Sequence, residues 1–255
     1  MTLVFDLPEC APTVVQRLDP RWKLASVLVV TLACALLQTL GPALAALAGA
    51  LAVVLLARLP AFWYLRRLGL AMAMFALFLI WLPLTIDDGR LAFSWTGFER
   101  LAVLSAKLAA MLSFMLVLLA TTPMHHLFKA AGALHIPRLL VLLMLLTYRY
   151  VFLLMEEFAR LRTALRVRGF RNRANLHSYR TIGQVAGTLL VRSHERSERV
   201  AHAMQARGFD GQFRSLDDFS ARPADVLGFS MILGYALALI AWDWCARSPF
   251  SPLPR

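Results

Sequence analysis

Apolar positions along this chain come in long unbroken blocks, not in the short alternations of a half-buried strand or a single helical stripe. Between Lys23 and Arg58, 34 consecutive residues carry no charge, and Gly41-Pro42 interrupts them near the middle. A helix crosses the hydrocarbon of a bilayer in roughly 20 residues, with about 17 as the lower limit. The block therefore predicts two short spans, near 24–40 and 43–59, joined by a tight Gly-Pro turn. A third uncharged run covers 68–86. A fourth covers 108–121 with apolar support from 101–106, and a last run, 226–242, lies between Asp225 and Asp243. Five candidate spans follow. Asp87-Asp88-Gly89, between the third and fourth, reads as a turn at the outer surface.

The stretch RLLVLLMLLTYRYVFLLMEEF, residues 138–158, is apolar enough to suggest a sixth span. Arg149 splits it into ten uncharged residues on one side and six on the other. An Arg at the centre of a span costs about 2.5–3.5 kcal/mol on insertion scales. Basic loops stay on the cytoplasmic side, which puts Arg17, Arg21, Lys23, the ARLPAFWYLRR connection (57–67) and HHLFKAAGALHIPR (125–138) inside. A further crossing at 138–155 would then carry the 13 Lys and Arg of 156–222 to the wrong side. The pattern instead predicts one long helix over 137–168, along or just under the membrane surface, with Pro137 in its first turn and Gly169 at its end. At 1.5 Å per residue it would reach about 48 Å. Arg149 snorkels to lipid phosphate or pairs with Glu156 or Glu157.

Composition agrees with the pattern. The chain is 59% hydrophobic and only 16% charged, against about 25% charged in a soluble domain. The class implied is an all-α, polytopic helical membrane protein with about five spans and long cytoplasmic helices, surrounded by membrane lipid. MTLVFDLPECAP lacks the basic leader of a cleavable signal peptide. The net charge of +12 does not signal nucleic acid, because the basic residues flank apolar runs. Cys10, Cys34 and Cys245 form no metal or redox spacing. His125, His126 and His135 read as charge-flanking residues at a basic boundary, not metal ligands. No GxxxxGK[ST] loop is present, so ATP would have to be used by other subunits. The spans offer no polar or metal constellation for catalysis, and no cofactor is expected on this chain.

One motif occurs twice. EEFARLRTALRVRGF (156–170) and ERSERVAHAMQARGF (195–209) align without gaps at Glu, Arg, Ala, Arg, Gly and Phe. Each opens with a Glu four residues before an Arg, Glu156/Arg160 and Glu195/Arg199, the spacing of a supporting pair on one helix face. Each closes with a Gly, which readily takes the left-handed conformation that ends a helix. An Arg at a helix C-terminus favours the dipole by about 0.3–1 kcal/mol, and capping explains a single copy. It does not require Phe170 and Phe209 to follow both glycines. A cation, a reversing Gly and a Phe at a helix end also make a docking device, in which Arg pairs bidentately with a carboxylate in a partner's groove. Two such ends suit two copies of one partner or two related partners.

These residues resemble the transmembrane T component of energy-coupling factor (ECF) transporters, the EcfT/CbiQ family. The resemblance covers nearly the whole chain: LDPRWKL (18–24) looks like the start of that family's first span, and RYVFLLMEEFARLRTALRVRGFR (149–171) like its first long coupling helix. It implies that Val167-Arg168-Gly169 and Ala206-Arg207-Gly208 are the coupling motifs that contact two ATP-binding-cassette ATPase subunits. The family motif reads Ala-Arg-Gly, and Val167 departs from it. The family scaffold links those ATPases to a small substrate-binding S component, a CbiM-like membrane protein in the cobalt branch that this chain looks most like. Cobalt is the implied cargo, with nickel close behind and vitamin uptake as an alternative. A classical ABC-importer permease is the rival assignment, but it would normally carry one coupling motif per chain. The expected arrangement is a four-span section at 1–121, a cytoplasmic coupling section at 122–222, and a final span with an external tail at 223–255, in the bacterial inner membrane.

Overall fold

Asp19 and Pro20 start the first helix. Asp19 accepts a hydrogen bond from the Arg21 N–H at 3.1 Å, and Pro20 occupies the first turn, where its missing N–H costs nothing. The computed structural model describes residues 18–79, 84–87, 90–93, 95–134, 136–171, 173–209 and 223–247. Eight helices lie among them: α1 (Pro20–Leu36), α2 (Leu40–Leu56), α3 (Ala61–Leu79), α4 (Trp95–Thr121), α5 (Met124–Ala133), α6 (Arg138–Val167), α7 (Leu176–Ala206) and α8 (Pro223–Arg247). The all-α class holds. The one departure is an antiparallel hairpin, β1 (Leu84–Asp87) and β2 (Arg90–Phe93), paired from Leu84↔Phe93 to Asp87↔Arg90. The chain divides into two compact units, Met1–Leu134 with Phe219–Arg255, and His135–Asp218.

In the first unit α1, α2, α4 and α8 pack around one core, with α3 against α4 and α5 against α1. Its buried residues are mostly small: Ala33, Cys34, Ala46, Ala50, Ala110 and Ala236, with Val30, Leu37, Phe114 and Leu239 between them. The large apolar side chains point the other way. Leu28, Leu32, Leu36, Leu44, Leu51 and Leu55 are all exposed. A bundle that keeps alanine inside and leucine outside suits an apolar solvent, where close backbone approach supplies the packing. Among the small residues of α1 and α2, Ala33, Ala46 and Ala50 are buried, Ala45 packs at the edge, and Ala35 and Ala48 face outward.

Gly49 has a specific reason. The Tyr235 hydroxyl donates to the Ala45 carbonyl at 2.7 Å, and a methyl group at position 49 would run into that phenol. Gly49→Ala gains about 1 kcal/mol of helix propensity but overpacks the contact, at about 1–3 kcal/mol. Net destabilisation is expected in thermal unfolding of the detergent-solubilised protein. Gly69→Ala is the control and should not destabilise, because nothing lies within 4 Å of its added methyl.

Two carboxylates clamp α8. Asp225 in its first turn accepts from the Asp19 N–H at 2.9 Å. Near its other end Asp243 accepts from the Gln38 N–H (3.0 Å), the Thr39 N–H (2.9 Å) and the Thr39 hydroxyl (2.7 Å). Lys107 of α4 donates to the Ala35 and Leu37 carbonyls at 2.7 and 2.6 Å, closing the C-terminus of α1. The two aspartates stand about 27 Å apart along the helix, close to the hydrocarbon thickness of a bilayer.

Several boundaries differ from the sequence expectation. The first chain reversal lies at 37–39, not at Gly41-Pro42, which instead form the first turn of α2. A proline fits there because that N–H would have no intrahelical partner. The run 68–86 ends in strand, since Leu84–Asp87 belongs to β1. Residues 88–89, where the Asp-Asp-Gly turn was expected, lie outside the described residues. The fourth span is longer than 108–121 and takes in Glu99, Arg100 and Lys107. Three helical segments among the described residues are long and apolar enough to cross a membrane: Gly97–Thr121, Leu139–Val167 and Pro223–Ala246, with Leu40–Leu56 as a shorter apolar helix. Length and composition thus admit a crossing at 139–167 that the charge distribution disfavours.

Candidate docking site

The repeated motifs end α6 and α7, both in the second unit. Helix α6 runs 30 residues from Pro137, its N-cap, to Val167, about 45 Å. Helix α7 runs 31 residues to Ala206. Ser178 fastens the connection between them, accepting from the Arg173 N–H at 3.3 Å and donating to the Arg171 carbonyl at 3.5 Å.

The two endings have the same backbone. Gly169 has φ 79° and Gly208 φ 72°. The Gly169 N–H donates to the Arg166 carbonyl and the Phe170 N–H to the Leu165 carbonyl, both at 3.0 Å. In the second copy the Gly208 N–H donates to Gln205 at 2.9 Å and the Phe209 N–H to Met204 at 3.0 Å. This paired 5→2 and 6→1 pattern is the Schellman motif, and it needs a left-handed residue where each glycine stands. Arg168 and Arg207 are therefore the C-cap residues of their helices.

Exposure is matched as well. Val167, Arg168, Gly169, Ala206, Arg207 and Gly208 are all exposed, whereas Leu165, Phe170, Met204 and Phe209 are partly withdrawn from solvent. Among the described residues neither Arg168 nor Arg207 makes an ion pair or side-chain hydrogen bond. Each motif thus presents an unengaged guanidinium at the negative pole of a long helix. The pattern also gives the phenylalanines a local role that the sequence reading did not assign. A Schellman ending favours apolar residues at the third-last helical position and two beyond the cap, which are Leu165 with Phe170 and Met204 with Phe209.

The ladder behind each ending is as spaced. Glu156 lies 4.0 Å from Arg160 and Glu195 lies 3.9 Å from Arg199, both exposed. His194 lies 3.8 Å from Glu198 on the same solvated face. Glu157 breaks the symmetry. It reaches across to Arg192 of α7 at 2.6 Å, a contact that no local sequence pattern signals. Arg149 pairs with neither Glu156 nor Glu157 and is exposed. In the other unit the His125 and His126 rings stand 4.2 Å apart, and His135 lies outside the described residues. Among the described residues no group of three His, Cys, Asp or Glu side chains is placed to hold a metal ion.

Residues 11–216 match the CbiQ family, described as cobalt transport protein. An uncharacterized protein of Methanocaldococcus jannaschii is 32% identical over 147 residues, 57% of this chain and 54% of its own length. The cobalt transport protein CbiQ of Rhodobacter capsulatus is 34% identical over 146 residues, 57% of each chain. The nickel permease LarQ of Lactiplantibacillus plantarum is 30% identical over 122 residues, 48% of this chain and 44% of its own. The chain thus spans about half the length of these relatives.

Proposed function

The chain belongs to the CbiQ family of cobalt transport proteins, and from that premise we propose that it is the transmembrane scaffold of an ECF-type importer. In this reading two separate ATPase subunits dock on Arg168 and Arg207, and ATP-driven movement of those subunits swings α6 and α7. The helices pass the motion to a substrate-binding membrane subunit that carries cobalt, or nickel, the metal in the name of the relative from Lactiplantibacillus. This chain holds no ATP and catalyses nothing; it transmits force.

The observation that carries the reading is the duplicated ending. Two long helices finish in the same backbone geometry, with the same exposed, unengaged arginine at each C-cap. Capping chemistry accounts for the glycines and the phenylalanines. It gives the two guanidinium groups a dipole interaction of about 0.3–1 kcal/mol but no hydrogen-bonding partner, and an ATPase pair with an acidic groove on each member supplies one. Rigid transmission fits the helices, since α6 contains no glycine and the two in α7, Gly183 and Gly187, both lie in its first half.

Purification of the tagged chain from its native membrane tests this. Two ATPase subunits and one small hydrophobic partner are expected to accompany it; a homodimer free of ATPase overturns the scaffold reading. Orientation is checked separately by thiol labelling of Arg168→Cys and Arg207→Cys, with the native cysteines replaced. Both positions should react only from the cytoplasmic side. Labelling from opposite sides would exclude a common ATPase pair, and labelling of both positions from the outer side would make 139–167 a true crossing.

A further inference from the structure

We propose that the Glu157–Arg192 ion pair is a strut that fixes the angle between α6 and α7. Among the described residues it is the only side-chain hydrogen bond or ion pair joining the two helices, and they come close over a short stretch only. The partly buried residues near it, Leu154 and Leu161 on α6 with Leu189 and Ser193 on α7, are mostly apolar. Apolar contact is non-directional, so it holds two rods together without setting the angle at which they cross. An Arg–carboxylate bond at 2.6 Å has a preferred direction.

On α6 Glu157 shares the partly buried row of Leu154 and Leu161, whereas on α7 the bond leaves the contact stripe. Arg192 is about half exposed while the adjacent Ser193 is partly buried. A bond set off the contact line resists rotation about it, as a brace does. The neighbouring carboxylate is occupied elsewhere, because Glu156 faces Arg160 on its own helix. Glu157 alone is turned towards α7.

The lever lengths make the angle matter. Arg168 lies eleven residues beyond Glu157, and Arg207 fifteen beyond Arg192, which places the two ends about 17 and about 22 Å from the strut. A rotation of about 10° at the crossing therefore moves the ends by about 3 and about 4 Å, as far as a side-chain contact reaches. An exposed ion pair adds little to folding stability, so its loss should leave the protein intact and the angle free.

The consequence for transport rests on the scaffold reading above; the geometry does not. Spin labels at Ala164→Cys and Ala203→Cys, both exposed, report the separation of the two helix ends in the full chain in lipid nanodiscs. Glu157→Gln and Arg192→Gln are each expected to broaden the distance distribution about twofold, and the exchanged pair E157R/R192E to narrow it again. In the assembled importer the single variants should keep their ATPase subunits but lose at least about fivefold in metal ions imported per ATP, with recovery in the exchanged pair. Unchanged distances in the single variants, or no narrowing in the exchanged pair, would overturn the strut. Altered distances with unchanged ions per ATP would overturn its role in transmission. Absence of ATPase from the wild-type complex would instead overturn the scaffold reading and leave the distance result to decide the strut.

Discussion

Arg168→Ala with Arg207→Ala is expected to abolish metal uptake and ATPase co-purification while the protein remains in the membrane at its normal level. Both guanidinium groups are exposed and make no ion pair or side-chain hydrogen bond among the described residues, so the main loss to the folded unit is about 0.3–1 kcal/mol of dipole interaction at each helix end. Docked in a groove, a desolvated Arg–carboxylate pair is a different matter. Truncating one partner of such a pair costs about 2–5 kcal/mol, and every 1.4 kcal/mol is tenfold in affinity. Two such losses weaken binding by about a thousandfold or more. Each single variant should fall in between and retain one ATPase contact. Gly169→Val with Gly208→Val approaches the same loss by another route. At φ 79° and 72° a β-branched residue is strained, so the helix ends re-form and the arginines point elsewhere. Uptake measured in whole cells, together with ATPase recovered on the tagged chain, reads both effects. Undiminished ATPase recovery by the double arginine variant would end the docking role.

What could be read from the sequence was the pattern that repeats locally. The match of 156–170 with 195–209 announced two similar helix endings, and their glycines announced the left-handed residue, because Schellman geometry is dictated by neighbours three to five positions away. The Glu156/Arg160 and Glu195/Arg199 pairs were legible for the same reason. So was α8, bounded by the two aspartates that flank its apolar run. The phenylalanines were half read: their recurrence was visible, but their place in the capping pattern was credited to a partner alone. The non-local choices were hidden. The first reversal falls at 37–39 because Asp243, some 200 residues later, takes the N–H groups of Gln38 and Thr39. The sequence offered Gly41-Pro42 instead, a plausible turn with no such acceptor. Lys107 looked like the edge of a span, yet it lies inside α4 with its ammonium on the carbonyls that end α1. Arg192 was one of many arginines on a polar helix, and nothing marked it as the partner of Glu157.

Asp243→Ala is expected to produce the largest loss of stability among single substitutions considered for the first unit. One buried carboxylate oxygen accepts three hydrogen bonds, from the N–H groups of Gln38 and Thr39 and from the Thr39 hydroxyl. Bonds to a charged acceptor contribute about 1.5–3 kcal/mol each, and a donor left buried without a partner costs about 1–3 kcal/mol. These terms share one atom and do not add in full, so a loss of about 3–5 kcal/mol is the expected outcome. Asp243→Asn keeps an accepting oxygen but not the charge and should lose about half as much. Thr39→Val removes only the hydroxyl bond and should lose least. Unfolding of the purified protein in mild detergent orders the three variants, and Asp243→Ala at wild-type stability would show that the carboxylate is not the clamp. Membrane abundance gives a second reading of opposite kind. Asp243→Ala should lower the amount of folded chain and leave ATPase recovery per folded chain unchanged, whereas the double arginine variant should do the reverse. That reciprocity separates the groups that build the bundle from the groups proposed to take hold of its motor.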